Sequence, residues 1–473
     1  MINILRIYKK NLFLWMLISL LGALLLTKDI PIFWREGLIY FIVFTPLFFM
    51  FYNFIVRSKR FDLNIFIFSL LLKVLFIVIV ATYLEYIHFM PFLSYNDDYN
   101  YEWISSEIVQ RWKAEGIGFY NDILFSKGFY SGYPNASALA KYVLGDSFYV
   151  PRIMNAIFSS FTVVIFYKTL LFFSSEKLAK SISYIFCISS LFIFYASFQL
   201  KDTLLLFFVS CLIYCIGRIL FQSFGIKTMF YIVVCSICLM FFRAATLFPI
   251  YLSLALVFIV IRDKSFNLFS NTKFLISLLL LLVTFIFSWE YLFLKDILPF
   301  DAFSYYDART NYEGKEDRMS GSNSISKLGA LALFLGPIYI ILSLFLPTPV
   351  FVDIYSGRGE LNYSFIPLID YYAILPIGIV AVIYVVKKLR KNKFFMFLIF
   401  FMLLYKLGQA SSMSIFDSRQ SLPVIYVFFI LLGLIERPDF YSYYRKYYKI
   451  IFWILLVVMI GFSFVRIYIR SSI

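Results

Sequence analysis

Residues 63–103 read LNIFIFSLLLKVLFIVIVATYLEYIHFMPFLSYNDDYNYEW, and the change of character inside them decides the fold. Up to Pro91 the run is apolar for longer than the roughly 20 residues that a spanning helix needs. At Asp97-Asp98 the chain turns polar, and it remains mixed through residue 150. A carboxylate pair at that break sits at the mouth of a membrane bundle, beside Tyr99 and Tyr101. It is a candidate for chemistry at the lipid–water boundary.

The rest of the chain is of the same kind. Of 473 residues, 62% are hydrophobic and 22% aromatic, and mean hydropathy is +0.85. A soluble core could not hide 60 Phe and 37 Tyr, whereas lipid can. The net charge of +16 would suggest nucleic acid in a soluble protein. Here the basic residues cluster between apolar runs, as the positive-inside rule requires, and no separate basic patch points to nucleic acid. Cys187, Cys211, Cys215, Cys235 and Cys238 all fall in apolar stretches and read as small buried residues. With His88 the single histidine and no carboxylate near the cysteines, no metal site is expected among them.

The expected fold is all-α and polytopic, with about 11–14 transmembrane segments by hydropathy. Candidate spans are 11–27, 37–56, 63–91, 151–172, 180–198, 203–221, 228–242 with 245–261, 273–293, 328–346, 371–387, 394–411, 422–436 and 449–468. The first lacks a small-residue cleavage site before Lys28-Asp29 and is expected to stay. Five regions follow: N-terminal helices 1–91, an outer loop 92–150, a bundle 151–293, an outer loop with a re-entrant segment 294–370, and C-terminal helices 371–473. Lys9-Lys10, the 57–60 run RSKR, Lys177 to Lys180, Arg262 to Lys264, KKLRKNK at 387–393 and Arg445 to Lys449 belong in the cytoplasm. Loops 92–150, 199–202, 294–327, 350–370 and 412–421 then face outward. Hairpin 228–261 is too short for two full crossings at about 1.5 Å per residue. It reads as two short helices meeting at Arg243. Segment 328–349, with Gly336-Pro337, reads as re-entrant. Irregular backbone at that depth implies a cavity.

Inside the outer loop, residues 102–114 carry Trp103, Ile104, Ile108 and Trp112 on one side, which suits a helix lying at the interface. A turn at 128–134 and a short helix over 135–144 follow. Either aspartate of the pair can cap helix 102–114 or act as a general base for an incoming hydroxyl. Tyr99 and Tyr101 can stack on a sugar or hydrogen-bond it. Lys201, in QLKD at 199–202, can offset a helix end or bind phosphate. Arg243 lies in an apolar run, where charge is costly and needs a partner such as phosphate or a carboxylate. Arg419, in DSRQ at 417–420, can fork onto phosphate or snorkel to the interface. Glu85 is a possible cavity carboxylate, and the acidic loop 294–327 reads as a solvated lid.

The acidic pair in the first large outer loop, the two loop helices, and GYPNASALAKYVLGDSFYVPRIMNAIFSSFTVVIFYKTL at 132–170 together resemble the GT-C glycosyltransferase superfamily. The resemblance covers residues 92–245 best, through Asp97-Asp98, Tyr133-Pro134, Gly145, Arg152 with Asn155, and Lys201-Asp202. Three spans precede the loop here, where one is usual in the superfamily. The resemblance implies that Asp97 or Asp98 is the base. Lys201, Arg243 and Arg419 would hold a lipid phosphate, while Tyr99, Tyr101, Tyr133 and Arg152 would meet substrate. The donor would be an undecaprenyl-linked sugar or oligosaccharide, used at the outer face of a bacterial inner membrane. No cofactor is implied beyond a possible divalent metal. The Phe-, Ile-, Tyr- and Lys-rich composition and an Arg318…Gly329 spacing resemble O-antigen or capsule repeat-unit polymerases, for which a chain-length regulator protein is a possible partner. A single-sugar transferase and a flippase of lipid-linked oligosaccharide are the alternatives. A flippase calls for paired halves, and no internal repeat is visible.

Overall fold

The computed structural model describes residues 10–11, 13–14, 45–92, 97–119, 132–222, 225–243, 246–261, 365–411 and 421–471. Every regular element among them is helical. In chain order these are α1 (Thr45–Val56), α2 (Phe61–His88), α3 (Asp97–Glu115), α4 (Gly132–Leu144), α5 (Tyr149–Leu170), α6 (Glu176–Cys187) and α7 (Ser190–Ala196). Then come α8 (Asp202–Phe221), α9 (Ile226–Arg243), α10 (Leu247–Val260), α11 (Phe365–Lys388), α12 (Lys393–Ser411), α13 (Leu422–Leu431) and α14 (Pro438–Ser471), with a 3₁₀ turn at Leu432–Glu436.

Among the described residues, four helices are long and apolar enough to cross a membrane: α2 over Phe61–Tyr86, α5, α8 and α9. The bent pair α6–α7 makes a possible fifth. The chain is an α-helical membrane protein. Its core is dense in aromatic rings. All of α13 is buried, and Phe166 of α5 stacks on Phe186 of α6 at 4.4 Å. Outward-facing Leu63, Leu71, Phe230 and Tyr231 are exposed, an arrangement lipid tolerates and water does not.

Local sequence sets the helix ends. α2 stops where Phe89 adopts a left-handed conformation (φ 58°) and its amide returns to the Glu85 carbonyl at 3.0 Å, two residues before Pro91. α4 stops at Gly145, whose φ of +109° suits glycine. α6 starts at Ser175, whose hydroxyl accepts from the Leu178 amide at 3.3 Å.

The basic segments gather at one end of the bundle. Lys180 donates to the Ser58 carbonyl at 3.1 Å, and Lys168 lies 3.6 Å from Asp62. Ser175 donates to Glu436 at 2.7 Å, and Lys387 to the Tyr447 hydroxyl at 3.1 Å. Lys393 sits over the Phe258 ring, 5.5 Å from its centre. Residues 91–92, 97–98, 132–135, 198–202 and 241–243 meet at the opposite end, described below.

Several expectations need correction. The span expected at 180–198 is broken at Ile188-Ser189, with α6 and α7 meeting at a 52° bend. α9 has 18 residues and reaches span length alone, so hairpin 228–261 pairs one full-length helix with the 14-residue α10. The span at 449–468 belongs to a 34-residue helix. α3 begins at Asp97 rather than at 102, and three of the four apolar residues expected at an interface pack inside the protein while Trp103 is exposed. Ile104, Ile108 and Trp112 are buried against Ala138 of α4. Glu85 is exposed on α2 and faces away from the core. The spans at 273–293 and 328–346, the lid 294–327, Arg419 and most of 11–27 lie outside the described residues.

Candidate functional site

The first three turns of α5 present Arg152, Asn155 and Ser159 at helical spacing on one buried face. Arg152 is fully buried and ringed by Phe92, Phe148 and Phe198, with ring centres 5.3, 5.3 and 5.8 Å from its guanidinium carbon. Its Nη2 donates to the Pro91 carbonyl at 2.5 Å and to Asp98 Oδ2 at 3.3 Å. Its Nε and Nη1 have no hydrogen-bond partner.

Asp98, only 1% exposed, is held from two directions. Oδ2 faces Arg152, and Oδ1 accepts from the Gln199 amide at 2.7 Å. The Gln199 side chain donates to Ser105 Oγ at 3.2 Å, one more tie between α3 and the turn after α7. A carboxylate beside a helix N-terminus is favoured by the helix dipole, which explains why α3 runs through the acidic pair. Asp97 is the first residue of α3.

Asn155 closes the same junction. Its Nδ2 reaches the Phe198 carbonyl at 2.7 Å, the Tyr133 hydroxyl at 3.0 Å and the Leu200 carbonyl at 3.1 Å. Tyr133 is fully buried, packs edge-on to Tyr101 at 5.0 Å, and lies 6.5 Å from Phe242. Burial pushes its phenol up from the ordinary value, so it stays neutral. Gly132 is required here. A Cβ at that position would lie 2.7 Å from the Phe241 carbonyl oxygen, so only glycine lets α4 start against the end of α9. Arg243, the last residue of α9, is half-buried at this end. Lys201, partly buried, precedes Asp202, which is buried in the first turn of α8.

A second ion cluster locks the loop helices together. Lys141 of α4 is buried and donates to Glu102 Oε1 at 2.5 Å and Ser106 Oγ at 2.7 Å, with Asp146 Oδ1 at 3.0 Å. Burial pushes the Glu102 carboxyl up despite its bond to Lys141. Asp146 is partly desolvated, which opposes ionisation, but Lys141 and Ser106 hold it below the usual carboxylate value.

The structure thus brings Asp98, Tyr101, Tyr133, Arg152, Lys201 and Arg243 to one end of the bundle. It gives them unequal parts. Tyr101 and Tyr133 are packed inside the junction, whereas Tyr99 is 36% exposed and stands edge-on to Phe92 at 5.6 Å. Gln199, Ser105 and Lys141 were not singled out from the sequence. Two buried lysines inside apolar helices were also missed. Lys73 of α2 donates to Ser69, and Lys406 of α12 donates to Ser421 Oγ at 2.6 Å. The rule that singles out Arg243 finds Lys73 as well, because both interrupt long apolar runs. Among the described residues, no group of three or more His, Cys, Asp or Glu side chains could hold a metal ion.

No protein-family model matches the chain, and no curated protein or solved structure matches it.

Proposed function

We propose that this chain is a membrane glycosyltransferase of GT-C type acting at the outer face of a bacterial inner membrane. The basic segments collect at the end of the bundle opposite Asp97-Asp98, which supports an outward-facing acidic loop under the positive-inside rule. The observation that carries the reading is the double clamp on Asp98. Arg152 and the Gln199 amide tie the acidic turn of α3 to the turn that carries Lys201. The Asp98 carboxylate is thereby fixed at the end of the bundle that carries Lys201 and Arg243, which suits glycosyl transfer from a phosphate-linked donor.

In this reading Asp98 positions and Asp97 reacts. Asp98 is committed to Arg152 and Gln199, so its neighbour takes the proton of the acceptor sugar hydroxyl. The hydroxyl oxygen bonds to the donor's anomeric carbon with inversion. The bond from that carbon to the phosphate oxygen breaks, and the undecaprenyl (di)phosphate leaves with the electron pair. Lys201, Arg243 and Arg419 stabilise the charge that develops on it. Tyr99 is the exposed tyrosine available to the sugar. The more specific assignment is an O-antigen or capsule repeat-unit polymerase.

Purified protein incubated with undecaprenyl-diphosphate-linked repeat units tests this. A ladder of products is expected, and a single added sugar would instead favour a transferase using undecaprenyl-phosphate sugar. Asp97→Asn is expected to lower the rate about 10²–10⁴-fold, the usual contribution of a general base. Full activity in that variant would remove Asp97 from the base role.

A further inference from the structure

α11 and α14 bring basic residues together without bringing acids to meet them. The helices pack where Tyr384 of α11 stands edge-on to Phe440 and Tyr443 of α14, at 5.5 and 5.4 Å. One turn further along α11, Lys387 donates to the Tyr447 hydroxyl at 3.1 Å, with its ammonium 5.2 Å from the ring centre. Lys446 approaches the same ring, 5.3 Å from its centre. Two ammonium groups therefore share one phenol. The flanking segments, KKLRKNK at 387–393 and RKYYK at 445–449, contain no acid. Among the described residues, neither Lys387 nor Lys446 stands in an ion pair. A ring face attracts a cation but brings no charge to cancel it. Holding like charges together costs free energy, which a bound anion would offset.

The side of α14 below this cluster is apolar and exposed. Lys446, Ile450, Trp453 and Val457 recur at helical spacing along one face, and all four are exposed. Val386, next to Lys387 on α11, is exposed as well. α14 has 34 residues, about 50 Å at 1.5 Å per residue, against a hydrocarbon core of about 30 Å, so its first turns reach headgroup level. Tyrosine suits that level, and Tyr441 is exposed there. Cations at the top of an apolar track match a phosphate headgroup with an acyl chain beneath it.

We propose that Lys387, Lys446 and Tyr447 bind the headgroup of an anionic phospholipid whose acyl chain lies along Ile450, Trp453 and Val457. Lys387 uses the phenol oxygen as acceptor, which leaves the phenol hydrogen to donate. That hydrogen and the two ammonium groups meet the phosphate oxygens in charge-assisted hydrogen bonds. A zwitterionic lipid brings a cation of its own to the cluster and is disfavoured there. This inference stands whether or not the chain transfers sugars.

The full chain, purified in detergent, is titrated with phosphatidylglycerol, with phosphatidylcholine and with sodium phosphate, and bound molecules are counted by native mass spectrometry. Phosphatidylglycerol is expected to bind at least about tenfold more tightly than phosphatidylcholine, the contribution of one hydrogen bond to a charged group. Equal binding of the two lipids by the wild-type chain overturns the proposal, and this result needs no variant to fold. Lys387→Gln combined with Lys446→Gln should abolish the preference. Lys59→Gln combined with Lys227→Gln removes the same charge from exposed positions elsewhere at the basic end, and should change the preference less than about threefold. An equal loss in both double variants would mean a diffuse field instead of a site, and overturns the proposal. Sodium phosphate that displaces phosphatidylglycerol at equal concentration overturns the lipid as occupant.

Discussion

The two ends of the bundle use the same residue types in opposite ways. At the end that carries α3 and α4, charged groups are buried and paired. Arg152 and Asp98 are 0% and 1% exposed, and Lys141 is fully buried between Glu102 and Asp146. At the other end, Lys168 and Asp62 are 48% and 49% exposed and stand 3.6 Å apart. Exposed pairs of this kind contribute little. Buried pairs are another matter, since their desolvation must be offset by specific partners and loss of one partner strands the other. One end of the molecule therefore leaves its charges in contact with solvent, and the other holds a fixed geometry.

The largest expected effect of breaking that contrast is at Arg152. Arg152→Met keeps most of the volume but leaves Asp98 buried without its cation. Loss of one partner of a buried pair costs about 3–5 kcal/mol. Thermal unfolding of the detergent-solubilised chain should show it as a large drop in Tm. Adding Asp98→Asn should restore much of the loss, because the remaining amide needs no counter-charge. If Arg152→Met unfolds with the wild type, the pair is not what holds α3 to α5.

Next in size is the pH response of the Lys141 cluster, where two carboxylates share one cation with opposite signs. The folded pKa of Glu102 is raised, because burial penalises its charge more than Lys141 relieves it. The folded state thus holds the proton more tightly than the unfolded state. Its contribution is fully present below the unfolded glutamate value and is lost as pH rises through the folded one. Asp146 is lowered, so its contribution is present above the unfolded aspartate value and is lost as pH falls through the folded one. Glu102→Gln should remove the decline in Tm on the rising side, and Asp146→Asn the decline on the acid side. Identical pH profiles for the two variants would show that the cluster does not split in this way.

How much of this was legible beforehand depends on sequence distance. The boundaries of α5 and α8 follow from apolar length and the residues that flank it, and the structure puts them within two residues of expectation. The break between α6 and α7 was not visible, because CISS at 187–190 contains neither glycine nor proline and serine is tolerated inside a membrane helix. The apolar side of α3 was legible, but its partner was not. The same stripe fits a lipid surface or a neighbouring helix, and Ala138 of α4 decides for the helix. At the site, Asp98 stood out as an acidic residue at a helix end. Its partners did not, since Arg152 is 54 residues away and the Gln199 amide 101. A backbone amide carries no side-chain signal at all, so one of the two clamps on Asp98 has no mark in the sequence.

The smallest effect is expected at the basic end, and it is the control that gives the other two their meaning. Lys168→Ala removes the cation from a pair that water already reaches on both sides. An exposed pair contributes on the order of 0–1 kcal/mol, and salt screens that further. The Tm should shift little at low ionic strength and less at about 1 M salt, where the screening length falls to roughly 3 Å. The same salt series should leave the deficit of Arg152→Met nearly unchanged, because buried charges are poorly screened. A Lys168→Ala deficit as large and as salt-resistant as that of Arg152→Met would mean that the two ends do not differ in kind.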